Sequence, residues 1–429
     1  MALPKGGKAA SLRSRPWPYE FCKMIVLLKI AAIIFALLFL IKIKWDLGLA
    51  LFLDSVLTAV LFGLNLRTFV NNVMGALVAG ETLSLVGILV LVLYLGDVLQ
   101  AGGHFRRMVD ALKNLVRDPR LILAIPSAFI GLLPMTAGAM MGAPIVEEAA
   151  QRWKLTPAWK TFFNYWFRHI WEYSWPLYVN LILAAAIVQV PIIRICLHQF
   201  AFTVIAAGAG LVILFRHVPF LPRETNSPKS WTDTFIVFFS IWPIFLTIIL
   251  IFVFKLNMLL ALAVSSLLTQ VFSRMKWRER VNLIVKSVSL KIVLLTASLM
   301  VFKRMLEVSG ALDSVVRVFP PHGVSAYLLL FGAPFFIGLL TGVNQAFVAI
   351  AFPLLVPIIG QGHPDMVLLM FAYVSGFVGI LLSPAHLCLA LTADYFKAEL
   401  RDVYKILIWP VSVVFCAALL VLVIFRVIS

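Results

Sequence analysis

The chain has 429 residues, of which 62% are hydrophobic and 13% charged, and its mean hydropathy is +1.02. A soluble domain carries about 25% charged residues, so this composition excludes an ordinary soluble enzyme or regulatory domain. The net charge of +17 does not indicate a nucleic-acid partner, because Lys and Arg lie in short loops between apolar runs. The composition predicts an all-α polytopic protein whose surroundings are the lipid bilayer.

The first half of the chain begins with a basic, proline-interrupted stretch at residues 1–23. It lacks the pattern of a signal peptide and is predicted to be a flexible tail. A first structural repeat is expected at residues 24–215. Its apolar spans are predicted near residues 24–43, 45–64, 81–100 and 196–215, with a Pro/Gly-interrupted hairpin at about 120–150 and a broken helix at about 159–190.

The second half follows a polar stretch at residues 216–231, predicted to be a cytoplasmic linker. The same pattern of apolar runs then begins again, which predicts a second repeat at residues 232–429. Its spans are predicted near residues 231–254, 256–272, 284–302 and 406–425, with a hairpin at about 324–360 and a broken helix at about 366–391.

The recurrence is literal in places. The sequence FIGLL at Phe129–Leu133 reappears at Phe336–Leu340, 207 positions later. At the same displacement LQAGG, from Leu99, meets LEVSG, from Leu306. Matches in the same order and at a constant displacement indicate an internal duplication.

The two Pro/Gly-interrupted segments are predicted to be re-entrant helical hairpins that do not cross the bilayer. The first contains Pro126, Pro134 and Pro144 and has basic flanks on both sides, although a single kinked span is the alternative. If the hairpins are not counted as membrane spans, each repeat crosses the bilayer five times. Because five is an odd number, the second repeat has the opposite orientation in the membrane to the first. The predicted cytoplasmic loops then carry 20 Lys and Arg, against seven on the opposite side plus five in the N-terminal tail, so the body of the protein follows the positive-inside rule and the tail breaks it.

Binding sites in such folds form near the membrane midplane, where helices are interrupted. The predicted breaks begin at Pro134, Glu172, Thr341 and Leu382. Polar or small residues at these breaks are predicted to bind substrate, although they could instead cap their own half-helices. They are Thr136, Gly138, Ser174, Asn344, Gln345 and Ser383.

Ionisable residues inside apolar segments are functional candidates. Arg168 and His169 are predicted to contact substrate, and Glu172 and Asp54 to couple an ion, either Na⁺ or H⁺. The alternative for the group around Glu172 is a salt bridge near the aromatic interface belt. The four cysteines are widely separated, so neither a disulfide framework nor a metal site is expected, and no cofactor is expected besides the coupling ion.

The runs FIGLLPMTAGAMMGAPIVEEA, NYWFRHIWEYSWPLY and TGVNQAFVAIAFPLL resemble an uncharacterised bacterial and archaeal membrane family of the ion transporter superfamily. That superfamily includes gluconate and arsenite permeases, dicarboxylate symporters and the large subunit of TRAP transporters. The resemblance covers about residue 24 to the C-terminus and implies an elevator-type homodimer. The hairpin tips depart from the Ser-Asn-Thr of dicarboxylate members, and the TRAP-type hairpin is missing, so no periplasmic binding protein is expected.

These observations predict a secondary transporter of a small anionic solute in the cell inner membrane. Two other functions stay open at this point: an intramembrane enzyme that uses His169 and Glu172, and a cation/proton antiporter. The enzyme is disfavoured because the chain has no HExxH, GxSxG or paired-Asp motif, and a nucleotide-driven pump because it has no GxxxxGK[ST].

Overall fold

The computed structural model describes residues 19–132, 138–222, 231–273, 275–320 and 323–428. These residues form helices and no strands. Seven segments are long and apolar enough to cross a bilayer, so the chain is a multi-pass membrane protein. They are Met24–Lys42, Gly80–Ala101, Ile192–His217, Trp231–Phe252, Trp277–Val308, Val324–Thr341 and Leu400–Arg426.

The described part of the first half contains ten α-helices. Short 3₁₀ turns at Pro119–Leu123, Gln151–Trp153 and Ile170–Tyr173 connect some of them. The helices are α1 (Tyr19–Lys42), α2 (Leu47–Leu61), α3 (Leu66–Val78), α4 (Gly80–Ala101), α5 (His104–Leu115), α6 (Ile125–Gly131), α7 (Gly138–Ala150), α8 (Pro157–His169), α9 (Val179–Val188) and α10 (Ile192–His217).

The described part of the second half also contains ten α-helices, and their order repeats that of the first half. In each half the sixth and seventh helices are the arms of the predicted hairpin, and the eighth and ninth form the predicted broken helix. They are α11 (Trp231–Phe252), α12 (Met258–Phe272), α13 (Trp277–Ser287), α14 (Leu290–Val308), α15 (Ala311–Val318), α16 (Val324–Thr341), α17 (Asn344–Ile359), α18 (Met366–Leu381), α19 (Leu387–Phe396) and α20 (Leu400–Ile428).

Packing between the halves is reciprocal. Helix α2 packs against α14, and its counterpart α12 packs against α4, the counterpart of α14. Helix α5 packs against α11, and their counterparts α15 and α1 also pack together. Likewise α9 packs against α17, and their counterparts α19 and α7 are in contact. Each of these contacts thus has a matching contact in which the two halves exchange roles.

Several boundaries differ from those predicted. Helix α1 begins at Tyr19, inside the predicted tail, and α3 was not predicted at all because it is short and amphipathic. One of the basic loops predicted to be cytoplasmic covers residues 274–280, but α13 begins within it, at Trp277. The chain bends at Val288 and Ser289, so the next helix begins at Leu290, six residues later than the predicted span.

Glycines allow α16 and α18 to pack backbone against backbone. A Cβ added to Gly379 would overlap the carbonyl oxygen of Phe335, and one added to Gly338 would overlap that of Gly376. Because small residues let membrane helices approach closely, these glycines hold the first arm of the second hairpin against the first part of the second broken helix.

We expect Gly338→Ala to destabilise the protein by about 1–3 kcal/mol, because the new methyl group forces α16 and α18 apart. Gly332→Ala is the matched control on the same helix, since its nearest neighbour would be Phe336 Cδ2 at 4.0 Å. Thermal unfolding in detergent measures both. Equal melting temperatures for the two variants would show that the helices are not in close contact.

Candidate functional site

Three of the predicted helix interruptions lie in the described residues, and they meet. Helix α8 ends at His169 and the chain resumes as α9 at Val179. The tip of the second hairpin turns at Gly342, whose φ of +63° lies in the left-handed region. A Cβ at Gly342 would lie 2.5 Å from the carbonyl carbon of Ala385 and from the nitrogen of His386. Only glycine therefore lets this tip touch the break between α18 and α19.

Glu172 lies at the centre of the site and is 1% exposed. Its carboxylate accepts a hydrogen bond from the side-chain amide of Asn344, the first residue after the hairpin tip. Its backbone carbonyl accepts one from the Tyr373 hydroxyl at 2.8 Å, and Asn180 donates to that hydroxyl at 2.6 Å. These bonds connect the first broken helix to the hairpin and the broken helix of the second half.

Two buried histidines face each other across the two broken helices. The Nε2 atoms of His169 and His386 are 3.1 Å apart. His169 Nδ1 lies 2.6 Å from the carbonyl oxygen of Tyr165, and His386 Nδ1 lies 2.8 Å from that of Gly342. A carbonyl oxygen only accepts, so each Nδ1 carries a hydrogen, and in the neutral form of each ring Nε2 presents a lone pair.

A buried cation and a thiol complete the group. Arg168 Nη1 donates to Cys388 Sγ at 3.3 Å, and His169 Nε2 lies 3.7 Å from Glu172 Oε1. The donor atoms of His169, His386 and Cys388 all lie within 4.8 Å of one another, a spacing that could hold a metal ion. We refer to these five residues together with Asn344 as the central cluster.

The first hairpin also packs against the first broken helix. Tyr178 donates its hydroxyl to the carbonyl of Gly131, and a Cβ on Gly131 would overlap the carbonyl oxygen of Arg168. Trp171 Nε1 donates to the carbonyl of Ala128 at 2.9 Å. Both hairpins therefore approach a helix break through a glycine.

The structure brings four of the predicted site residues together: Arg168, His169, Glu172 and Asn344. Two others bond elsewhere. Ser174 Oγ is 2.7 Å from the hydroxyl of Thr203 on α10, and Ser383 Oγ accepts from the nitrogen of Ala385 at 3.2 Å within its own turn. Ser383 therefore bonds within the turn between α18 and α19 and caps neither helix.

The remaining predicted residues that the structure describes are not among the contacts of the central cluster. Gln345 is half-buried in the first turn of α17, Gly138 is the first residue of α7, and Thr136 lies outside the described residues. Asp54 is 1% exposed on α2, which packs mainly against α14 and α1. Neither oxygen of its carboxylate has a hydrogen-bond partner among the described residues.

Sequence reasoning missed His386, Cys388, Tyr373 and Asn180 as site residues. His386 ends the second predicted break, and Cys388 follows two positions later, so the break itself was a usable signal. Tyr373 lies 208 positions after Tyr165, one more than the displacement of the FIGLL repeat, and so matches it in the second half. Asn180 carries no such signal, since a lone amide in an apolar run is uninformative without its partner.

A family model described as "Protein of unknown function (DUF401)" matches residues 23–428. The chain belongs to this family. Since the match covers both halves, the central cluster lies entirely within the DUF401 region. No curated protein matches the chain.

We expect Tyr373→Phe to destabilise this DUF401 protein by about 1–3 kcal/mol, because it leaves the Glu172 carbonyl and the Asn180 amide without their buried partner. Tyr395→Phe, at a side chain 37% exposed, is the control and should be neutral. Thermal unfolding in detergent compares the two. A Tyr373→Phe variant as stable as the control would contradict the network.

Proposed function

We propose that the protein is an ion-coupled secondary transporter that moves a small anionic solute across the cell inner membrane by an elevator-like alternating-access mechanism. One observation carries the proposal. Inside a membrane protein, the breaks of two helices and the tip of a hairpin bond to one another around buried ionisable side chains. Interrupted helices and charges at membrane depth are expensive, and transporters use them to form binding sites.

The repeated order of helices and their reciprocal packing support inverted repeats. If neither hairpin crosses the membrane, each half crosses it five times, so equivalent helices run in opposite directions. A two-fold axis in the membrane plane would relate the halves, which is the arrangement of many secondary transporters. The two halves can then exchange roles between outward-facing and inward-facing states.

The helix ends at the breaks support an anionic solute. Helices α9, α17 and α19 begin at the breaks. In none of them does the side chain of the N-cap residue accept a hydrogen bond from a backbone N–H of the first turn. The N-terminus of a helix carries unpaired N–H groups and partial positive charge, which favour anions. Arg168, 4% exposed, adds a full positive charge in the same region.

Glu172 is proposed to couple ion movement to solute movement. It is a buried carboxylate bonded to Asn344 at the hairpin tip, and His169 lies beside it. A change in the ion bound at Glu172 alters the hydrogen bond to Asn344. It therefore alters how strongly the second hairpin is attached to the first broken helix. The proposal thereby connects ion binding to the segment that must move to release a solute.

A transport assay tests this function. Purified protein is screened by thermal shift against small carboxylates, sugar acids and inorganic oxyanions, with and without Na⁺ and at several pH values. Uptake of the stabilising anion is then measured in proteoliposomes. We expect Asn344→Ala to weaken solute binding and Glu172→Gln to reduce dependence on the ion. Glu399→Gln, at an exposed position, is the control. If both cluster variants transport like the parent, the site lies elsewhere.

The inverted arrangement is tested by labelling single cysteines introduced at Gly138 and Val343 with a membrane-impermeant thiol reagent. We expect the first to be reached from the cytoplasmic side in the inward-facing state and the second from outside in the outward-facing state. Val343 is 37% exposed at the second hairpin tip. Labelling of both positions from the same side in every condition would exclude inverted hairpins.

A further inference from the structure

The Nε2 atoms of two histidines face each other in the central cluster. Both His169 and His386 donate through Nδ1 to a backbone carbonyl, so their Nε2 atoms, 3.1 Å apart, are both acceptors when the rings are neutral. Two acceptors at this distance repel unless a proton or a metal ion lies between them. The arrangement matches that of metal-binding histidines, which donate their other ring N–H to a carbonyl or carboxylate.

We propose that His169, His386, Cys388 and Glu172 bind one divalent transition-metal ion of the Zn²⁺ and Co²⁺ class. Two imidazoles, a thiolate and a carboxylate are a donor set that such ions prefer, whereas Na⁺, Mg²⁺ and Ca²⁺ prefer oxygen ligands alone. This site goes beyond the proposed transport function, and while a metal ion is bound it would keep the Glu172 carboxylate from binding Na⁺ or H⁺.

The separation of the two imidazoles fits a tetrahedral ion. With metal–nitrogen bonds of about 2.0–2.1 Å, two ligand nitrogens in a tetrahedron are about 3.3 Å apart. The two Nε2 atoms are 3.1 Å apart, and Glu172 Oε1 is 3.7 Å from His169 Nε2. The Cys388 sulfur lies within 4.8 Å of a ring nitrogen of each histidine, so Glu172 and Cys388 would move closer to complete the site.

The nearby charges bear on the site in two ways. A metal ion binds the thiolate form of cysteine, and the Arg168 guanidinium 3.3 Å from Cys388 Sγ stabilises that form. Thiolate and carboxylate supply two negative charges to offset those of a divalent ion, and the buried Arg168 leaves the group with one net positive charge. The amide of Asn344 holds the Glu172 carboxylate in place, as an outer partner does in metal sites.

The proposed site joins both halves of the chain. His169 and Glu172 belong to the first broken helix, while His386 and Cys388 belong to the second. The carbonyl that orients His386 belongs to Gly342, at the tip of the second hairpin. A bound ion would therefore hold the two broken helices together.

Titration of the purified, detergent-solubilised chain with Co²⁺ alone tests the proposal. We expect one ion per chain and a thiolate-to-cobalt charge-transfer band in the near ultraviolet, which Zn²⁺ abolishes by displacement. Cys388→Ser should remove that band, while Cys196→Ser and Cys416→Ser should retain it. Asn344→Ala should retain the band but weaken Co²⁺ binding about 10–100-fold, because it removes only an outer partner.

The proposal fails if the parent protein binds no Co²⁺, or if the band survives Cys388→Ser. The first result would mean that the two histidines share a proton instead. The second would mean that the ion binds elsewhere. Because the parent protein gives the band by itself, the test holds even if a variant does not fold. No solute is present, so its outcome is independent of transport.

Discussion

A helix that is interrupted inside a bilayer leaves backbone N–H and C=O groups without partners, and each such group costs several kcal/mol in hydrocarbon. In this DUF401 protein, side chains of other interrupted segments satisfy them. Tyr373 donates to the carbonyl of Glu172, and His386 donates to that of Gly342. The side chains that bond to these backbone carbonyls thus also bring together a carboxylate, two histidines and a thiol.

The all-helical class and the positions of several helices could be predicted from sequence. Prolines and glycines in apolar runs marked the hairpins and breaks, and the FIGLL recurrence marked the two halves. The second hairpin was predicted at residues 324–360, and its arms span residues 324–341 and 344–359. Helix α3 is not predicted because its polar residues lower the mean hydropathy of the segment. The predicted start of α14 is wrong because no proline or glycine marks the bend at Val288.

The site could be predicted only in part. Glu172 and Asn344 stood out as polar residues at breaks, but their bond joins positions 172 residues apart and depends on how two halves pack. Ser174 and Ser383 have equally suitable side chains, yet they serve a neighbouring helix and a local turn. Composition and spacing identify which residues are costly in a membrane. They do not identify which costly residues become partners.

The central claim is that Glu172, at the break of the first half, and Asn344, at the hairpin tip of the second, act as one unit. A double-mutant cycle measures this directly: the free energy of unfolding is determined for the parent, Glu172→Ala, Asn344→Ala and the double variant. The structure predicts a coupling energy of about 0.5–3 kcal/mol, as found for buried residues that share a hydrogen bond. Effects that add to within about 0.3 kcal/mol would contradict the account, because the two segments would then not meet.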